Sequence, residues 1–195
     1  MQYRKDIDGL RAIAVSSVIL FHAGFQRWLP GGFFGVDIFF VISGFLIGRI
    51  LFTEIEQQRY SIWRFYERRA RRILPALLLV LLVSYGLARW LYGPLEYADF
   101  RNSLLATLGF GSNIYFWLHS GYFEAASELK PLLHTWSLAV EEQYYVLFPL
   151  FMLLAWRWCK KWLGPMLLVV ALASLIVAQW ASQARPSFAF YMLPT

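Results

Sequence analysis

The hydrophobic residues of this chain are gathered into long runs that short polar segments separate. Each of five runs has about 20 residues, the length that an α-helix needs to cross the hydrocarbon core of a bilayer. The predicted spans are 10–28, 33–52, 73–92, 133–156 and 163–181. This pattern predicts an all-α integral membrane protein, built as a multi-span helical bundle.

A weaker apolar stretch covers residues 103–118 and contains the sequence GFGSN. Its glycines and asparagine fit poorly in lipid, where every polar group needs a partner within the protein. Counting it as a span would also place Arg157, Lys160 and Lys161 on the outer side, against the preference of basic residues for the cytoplasm. We therefore expect a re-entrant or interfacial helix here.

Basic residues also predict the orientation of the bundle. Arg4 and Lys5 precede the first span, and the connection 49–72 contains seven arginines. Because cytoplasmic loops carry an excess of Lys and Arg, both segments are expected in the cytoplasm. The prediction is a multi-pass membrane protein with a cytoplasmic N-terminus and with lipid around it.

Composition excludes several other classes of protein. Hydrophobic residues make up 59% of the chain and charged residues only 15%, which excludes an ordinary soluble domain. The net charge of +6 does not indicate a nucleic-acid partner, because the basic residues do not line a polar face. The single cysteine, Cys159, excludes an internal disulfide and a cysteine-based metal site, and we expect no metal.

Ionisable residues inside the predicted spans are the strongest functional signal, because such groups are costly in lipid. Arg11 and His22 lie eleven residues apart in the first span, about 16 Å along a helix and within about 20° of one face. The alternative for Arg11 is snorkelling to the interface, and for His22 a hydrogen-bonded role in packing.

Two further spans carry ionisable residues near the same side of the membrane. Asp37 opens the second span, whereas His134 and Glu141, seven residues apart, share a face of the fourth. Burying these groups without partners would be unfavourable, so we expect them to converge on one polar cavity. A histidine paired with a carboxylate can activate a hydroxyl group. A purely structural capping or pairing role for Asp37 remains the alternative.

The sequence FYERRARRILP, residues 65–75, places Arg68, Arg69, Arg71 and Arg72 at the predicted cytoplasmic start of the third span. A guanidinium group binds phosphate in bidentate geometry and keeps its charge. The cluster therefore predicts a site for a pyrophosphate or a ribose phosphate. Membrane topology and contact with anionic lipid are the competing explanation.

Four segments together resemble the bacterial membrane acyltransferase-3 family. They are YRKDIDGLRAIAVSSVILFHAG, GGFFGVDIFFVISGFLI, FYERRARRILP and LLHTWSLAVEEQYYVLFPL, which extend across most of residues 3–150. The resemblance implies a transmembrane O-acyltransferase of the bacterial inner membrane that moves an acyl group, usually acetyl, from cytoplasmic acyl-coenzyme A. The implied acceptor is a hydroxyl of a cell-surface or periplasmic glycan, or of a lipid-linked saccharide.

The resemblance also implies roles for individual residues. Arg11 and His22 match an essential pair of the family, with the histidine as base or transient acyl carrier, and Arg68, Arg69 and Arg72 match a motif linked to use of the acetyl-CoA donor. Less defined roles fall on Asp37, Ser43, His134, Trp136, Ser137 and Glu141. Direct attack by the sugar hydroxyl and an acyl-enzyme step on histidine or serine both remain open.

Members of this family have more spans than the five predicted here, and some add a C-terminal SGNH-type domain. We therefore expect residues 1–195 to be the N-terminal part of a single acyltransferase membrane domain, inactive by itself. A proton-coupled transporter is the alternative function, since intramembrane Arg, His, Asp and Glu also form relays. A structural membrane subunit is a third, but it gives the buried ionisable groups no purpose.

Overall fold

A computed structural model describes residues 4–119 and 130–193, and within these ranges the chain forms eight α-helices. Their bounds are α1 Lys5–His22, α2 Gly35–Glu56, α3 Ile62–Leu91, α4 Pro94–Leu108, α5 Ser112–Leu118, α6 Thr135–Cys159, α7 Leu163–Ala184 and α8 Pro186–Met192. Short 3₁₀ turns link several of them. The all-α membrane fold predicted from the hydrophobic pattern is confirmed.

Three stretches of the described residues are long and apolar enough to cross a membrane: Gly32–Glu56, Ile62–Leu91 and Thr135–Ala184. The third has 50 residues and contains both α6 and α7, which the 3₁₀ turn Lys160–Trp162 separates. Since one crossing takes about 20 residues, this stretch has the length for two. By length and apolar character, the described helices therefore allow a membrane crossing at four of the five predicted spans.

Helix α1 differs from the span predicted at 10–28. It begins earlier, in a segment with four charged residues (Lys5, Asp6, Asp8 and Arg11), so it does not meet the same criterion of length and apolar character. It also ends earlier, at His22, because Gly24 adopts a left-handed conformation with φ of 93°. Whether α1 crosses the membrane stays a prediction.

The weak stretch 103–118 is divided between α4 and α5. Neither helix is among the stretches that could span a membrane, and the turn between them contains Phe110 at a left-handed φ of 51°. The hydroxyl group of Tyr115 donates a hydrogen bond to the carboxylate of Asp99, so α5 folds back against α4. This helical hairpin has the form expected of a re-entrant element, although its depth in the membrane stays a prediction.

Buried polar side chains fix the α4–α5 hairpin to α6. Gln143 donates hydrogen bonds of 2.9 Å to the Phe110 carbonyl and to the side-chain oxygen of Asn113. Ser112 donates a bond of 2.9 Å to the Thr135 carbonyl, and the hydroxyl groups of Thr107 and Thr135 lie 3.1 Å apart. Because buried polar groups are costly without partners, this network specifies where α6 begins relative to the hairpin.

Helices α1 and α2 cross at very close range. A Cβ atom placed on Gly35 would lie 2.2 Å from the carbonyl oxygen of Ala14 and 2.5 Å from the Ser17 hydroxyl. Both distances are shorter than any van der Waals contact, so only glycine fits. The small residue lets the two helix backbones meet at the edge of the cavity described below.

Candidate active site

A cavity of about 500 Å³ lies between α1, α2, α3 and α6. Arg69 and Arg72 line it from α3, and His134 and Glu141 line it from the start of α6. Helices α3 and α6 run antiparallel along it, since Arg69 lies over Tyr145 whereas Leu77 packs in one cluster with Leu132. The arginines and His134 therefore occupy opposite ends of the cavity.

Apolar side chains form the walls between these two ends. They come from all four helices: Val15, Val18, Ile19, Val36, Phe39, Phe40, Ile73, Ala76, Leu77, Val80 and Leu138. The α3 part of the wall, from Arg69 to Val80, extends about 16 Å by helix rise. The cavity thus has a charged mouth, an apolar passage and a second polar end.

The arginine cluster predicted for donor binding is divided by the structure. Arg69 and Arg72 are three residues apart and line the cavity, with Arg69 half-buried. Arg68 instead donates a hydrogen bond of 2.9 Å to Glu54, and Arg71 donates one of 2.7 Å to Glu67. Two of the three predicted donor-binding residues therefore reach the cavity, and Arg68 is held at the end of α2.

Arg69 is positioned by aromatic rings. The guanidinium carbon of Arg69 lies 4.8 Å from the centre of the Tyr145 ring and 5.7 Å from the centre of the Phe65 ring. Both rings are almost fully buried in the hydrophobic core that α2, α3 and α6 share. Cation–π contacts of this length hold the charge at the cavity wall.

Glu141 lies between the arginines and His134, about 10 Å from the latter by the rise of α6. Its carboxylate accepts a hydrogen bond from the hydroxyl group of Tyr145, one helical turn further along. His134 is the N-cap residue of α6, and its carbonyl accepts a hydrogen bond of 3.2 Å from Ser137. A carboxylate and an imidazole therefore line the same cavity at different depths, with Glu141 nearer to the arginines and His134 at the far end.

The first two helices place the other predicted residues beside the cavity. His22 ends α1, and its Nδ1 lies 2.9 Å from the Val18 carbonyl oxygen. The side chain of His22 is exposed in the structure. Arg11 stands 5.1 Å from the centre of the Phe39 ring, and Asp37 lies in the first turn of α2. None of these three is among the described residues that line the cavity.

A second cavity, of about 600 Å³, lies on the other side of the contact between α3 and α6. Arg69 and Ile73 line both cavities, so the two are neighbours. Glu142 lines only the second, and one of its buried carboxylate oxygens has no hydrogen-bond partner among the described residues. The adjacent glutamates thus face different cavities.

The main residue that sequence reasoning missed is Tyr145. It is buried, lines the first cavity and contacts both Arg69 and Glu141. Its spacing of four residues from Glu141 places the two on one helix face, which was the available signal.

Among the described residues, no group of three His, Cys, Asp or Glu side chains is placed to hold one metal ion.

The chain is similar to known proteins over most of its length. A family model described as an acyltransferase domain matches residues 4–195. The chain is similar to peptidoglycan O-acetyltransferase OatA of Listeria monocytogenes, with 40% identity over 92% of this chain and 29% of OatA. It is also similar to a Komagataeibacter xylinus protein named "Putative membrane-bound transacylase BcsY", with 46% identity over 74% of this chain and 36% of that protein.

These relatives are longer than the chain. A Haemophilus influenzae relative described as uncharacterized is 43% identical over 63% of this chain and 50% of its own length. The chain therefore spans between about a quarter and a half of the curated relatives that it matches. No solved structure was found to match it.

Proposed function

Since the chain belongs to the acyltransferase domain family, and is thus a membrane acyltransferase, we propose that it moves acetyl groups across the bacterial inner membrane. In this proposal the donor is acetyl-coenzyme A in the cytoplasm, and the acceptor is a hydroxyl group of a glycan on the outer side. The observation that carries the proposal is the cavity that connects Arg69 and Arg72 with Glu141 and His134.

The two ends of the cavity suit the two ends of an acyl-coenzyme A molecule. Arg69 and Arg72 offer fixed positive charge to the donor's phosphate groups. The apolar passage accommodates the uncharged pantetheine arm with the thioester at its tip. On this assignment only the acyl group and the arm enter the membrane, whereas the nucleotide stays at the basic mouth on the cytoplasmic side.

At the polar end, transfer requires a base and a way to hold the base in position. In the direct route, the acceptor oxygen attacks the thioester carbonyl while an imidazole takes the hydroxyl proton, and the same proton then goes to the departing thiolate. We assign the base to His22, with the Glu141 carboxylate favouring its charged form and with His134, Arg11 and Asp37 in supporting positions. An acyl-enzyme step on the histidine is the second route.

Relatives support a glycan as the acceptor. OatA is named for O-acetylation of peptidoglycan, and 40% identity over most of this chain supports the same class of acceptor here. A lipid-linked saccharide would present the same hydroxyl chemistry at the membrane. We propose a glycan hydroxyl without assigning the sugar.

A donor-binding measurement tests the first half of the proposal. The protein, as its gene encodes it, is assayed in membranes for acetyl-CoA affinity, beside Arg72→Ala and the matched control Arg71→Ala. We expect Arg72→Ala alone to weaken binding, because Arg71 pairs with Glu67 outside the cavity. Wild-type protein that folds but does not bind acetyl-CoA would favour a proton-coupled carrier instead.

Mass spectrometry of surface glycans tests the second half. Cells with the wild-type gene are compared with cells carrying His22→Ala at an equal protein level in the membrane. The expected result is the loss of acetyl groups from one glycan in the mutant. An unchanged glycan profile would refute the assignment of His22 as the base.

A further inference from the structure

We propose that Tyr145 is a positioning residue that holds the donor-binding Arg69 and the carboxylate of Glu141 in one arrangement. This inference deepens the proposed function and depends on it. The roles that the sequence predicts for the arginines and the histidines do not include this tyrosine. It lies at the arginine end of the cavity and contacts both Arg69 and Glu141, the carboxylate that lies between the arginines and His134.

The first observation is the double contact that Tyr145 makes. The face of its ring lies 4.8 Å from the guanidinium carbon of Arg69, and its hydroxyl group donates a hydrogen bond to Glu141. Its ring also packs in one hydrophobic cluster with Ile47 and Leu51 of α2. One tyrosine thus touches groups from α2, α3 and α6, the three helices that surround this part of the cavity.

The second observation is that Tyr145 itself is immobilised. Only 3% of its surface is exposed, and it belongs to a hydrophobic cluster with Ile47, Leu51 and Phe65. A ring this deeply buried keeps a single orientation although one side borders the cavity, so the positions of Arg69 and the hydroxyl group follow from the core. The site is therefore built on rigid elements.

The ring and the hydroxyl group have separable duties. The ring stabilises the guanidinium at the cavity wall, where it can meet the donor's phosphate groups. The hydroxyl group occupies one side of the Glu141 carboxylate and thereby orients its other lone pairs towards the cavity, where an imidazolium can be stabilised. Removing the hydroxyl group should disturb transfer, and removing the ring should disturb donor binding as well.

Two substitutions, made in the protein as its gene encodes it, separate the role of the Tyr145 ring from the role of its hydroxyl group. Tyr145→Phe keeps the ring, so we expect KM for acetyl-CoA to stay within about twofold while kcat falls about 10- to 100-fold through misplacement of Glu141. Tyr145→Leu removes both, so KM should also rise about tenfold. Tyr144→Phe is the matched control, because Tyr144 stacks on Phe148 and is not among the described residues that line the cavity.

The outcomes distinguish positioning from mere packing. All values are taken per folded protein, with thermal unfolding measured for each variant. If Tyr145→Phe lowers only the unfolding temperature and leaves kcat intact, the positioning role is refuted and the proposed function stands. If wild-type protein neither binds acetyl-CoA nor transfers the acetyl group, the proposed function fails and this inference fails with it.

Discussion

Arg68 donates a hydrogen bond of 2.9 Å to Glu54, whereas its chain neighbour Arg69 faces the cavity. Successive helical residues point about 100° apart, so adjacent arginines cannot serve the same ligand from one helix face. Arg69 and Arg72, three residues apart, do share a face. The arginine cluster therefore has two tasks, one at the cavity mouth and one at the junction between α2 and α3.

The first prediction separates these two tasks. Arg72→Ala should weaken acetyl-CoA binding by at least about tenfold, because a charge-assisted contact to phosphate is lost. Arg68→Ala should leave donor affinity unchanged and lower stability by about 0.2–1 kcal/mol, the usual contribution of an exposed ion pair. Isothermal titration calorimetry with acetyl-CoA measures the change in affinity, and thermal unfolding in detergent measures the change in stability. Equal losses of affinity in both variants would contradict the division of the cluster.

The second prediction concerns the crossing of α1 and α2. Gly35→Ala places a methyl group where Ala14 and Ser17 leave no room, so the helices must separate and the cavity wall must open. We expect a loss of about 1–3 kcal/mol in the free energy of unfolding and a loss of acyl transfer.

Gly9→Ala is the matched control for this crossing. Gly9 lies in the same helix as Ala14, and nothing lies within 4 Å of a Cβ placed on it. Alanine is the better helix former by about 1 kcal/mol, so this variant should be neutral or more stable. Thermal unfolding compares the two variants. If Gly35→Ala and Gly9→Ala change the free energy of unfolding equally, the close approach of α1 and α2 does not contribute to stability.

The third prediction concerns a buried hydroxyl group between α2 and α3. The Tyr60 hydroxyl oxygen is buried without a hydrogen-bond partner among the described residues, and burial raises the pKa of Tyr60 to about 12. The phenol therefore stays neutral at physiological pH, and its hydroxyl group is a cost to the fold. Tyr60→Phe should leave stability unchanged or raise it by about 1 kcal/mol.

Tyr66→Phe provides the contrast. The Tyr66 hydroxyl group donates a hydrogen bond of 3.2 Å to the Val146 carbonyl oxygen, which links α3 to α6. Its removal should lower the free energy of unfolding by about 0.5–1.5 kcal/mol. Thermal unfolding of both variants checks the pair, and a clear loss of stability in Tyr60→Phe would show that its hydroxyl group has a partner.

Much of this fold could be predicted because membrane helices need long apolar runs. The predicted spans at 33–52, 73–92 and 163–181 coincide with α2, α3 and α7 except for one or two end residues, and the helices extend beyond them through ends rich in polar and charged residues, which hydropathy does not detect. The end of α1 could not be placed from hydropathy, since the helix already ends before the left-handed turn at Gly24, whereas the predicted span continues to Trp28. Local backbone conformation decided that boundary, not hydrophobicity.

The site could be predicted in kind but not in arrangement. Histidines, carboxylates and arginines stand out in an apolar sequence, and the structure brings Glu141, His134, Arg69 and Arg72 to one cavity. The pairing of Arg68 with Glu54 depends on where α2 ends relative to α3, a tertiary contact that the order of residues does not specify. Tyr145 escaped notice because a tyrosine in an aromatic-rich span gives no distinctive signal.

The last prediction tests which of the two cavities carries the acyl donor. Ala76 lines the first cavity beside the apolar passage, and Ala70 lines the second, both on α3 and both with exposed side chains. Ala76→Trp should fill part of a space of about 500 Å³ and obstruct the pantetheine arm. We expect acetyl transfer to fall at least about 100-fold, since a misplaced thioester loses the benefit of orientation.

Ala70→Trp is the matched variant and should retain transfer close to the wild-type rate per folded protein, because it fills only the neighbouring space beside Glu142. Both substitutions add the same bulk to the same helix, so a general disturbance of α3 would affect them equally. Transfer rates with acetyl-CoA, normalised to folded protein in the membrane, make the comparison. If Ala70→Trp abolishes transfer and Ala76→Trp does not, the donor path runs through the second cavity. Glu142 rather than Glu141 would then be the carboxylate that the acyl group meets.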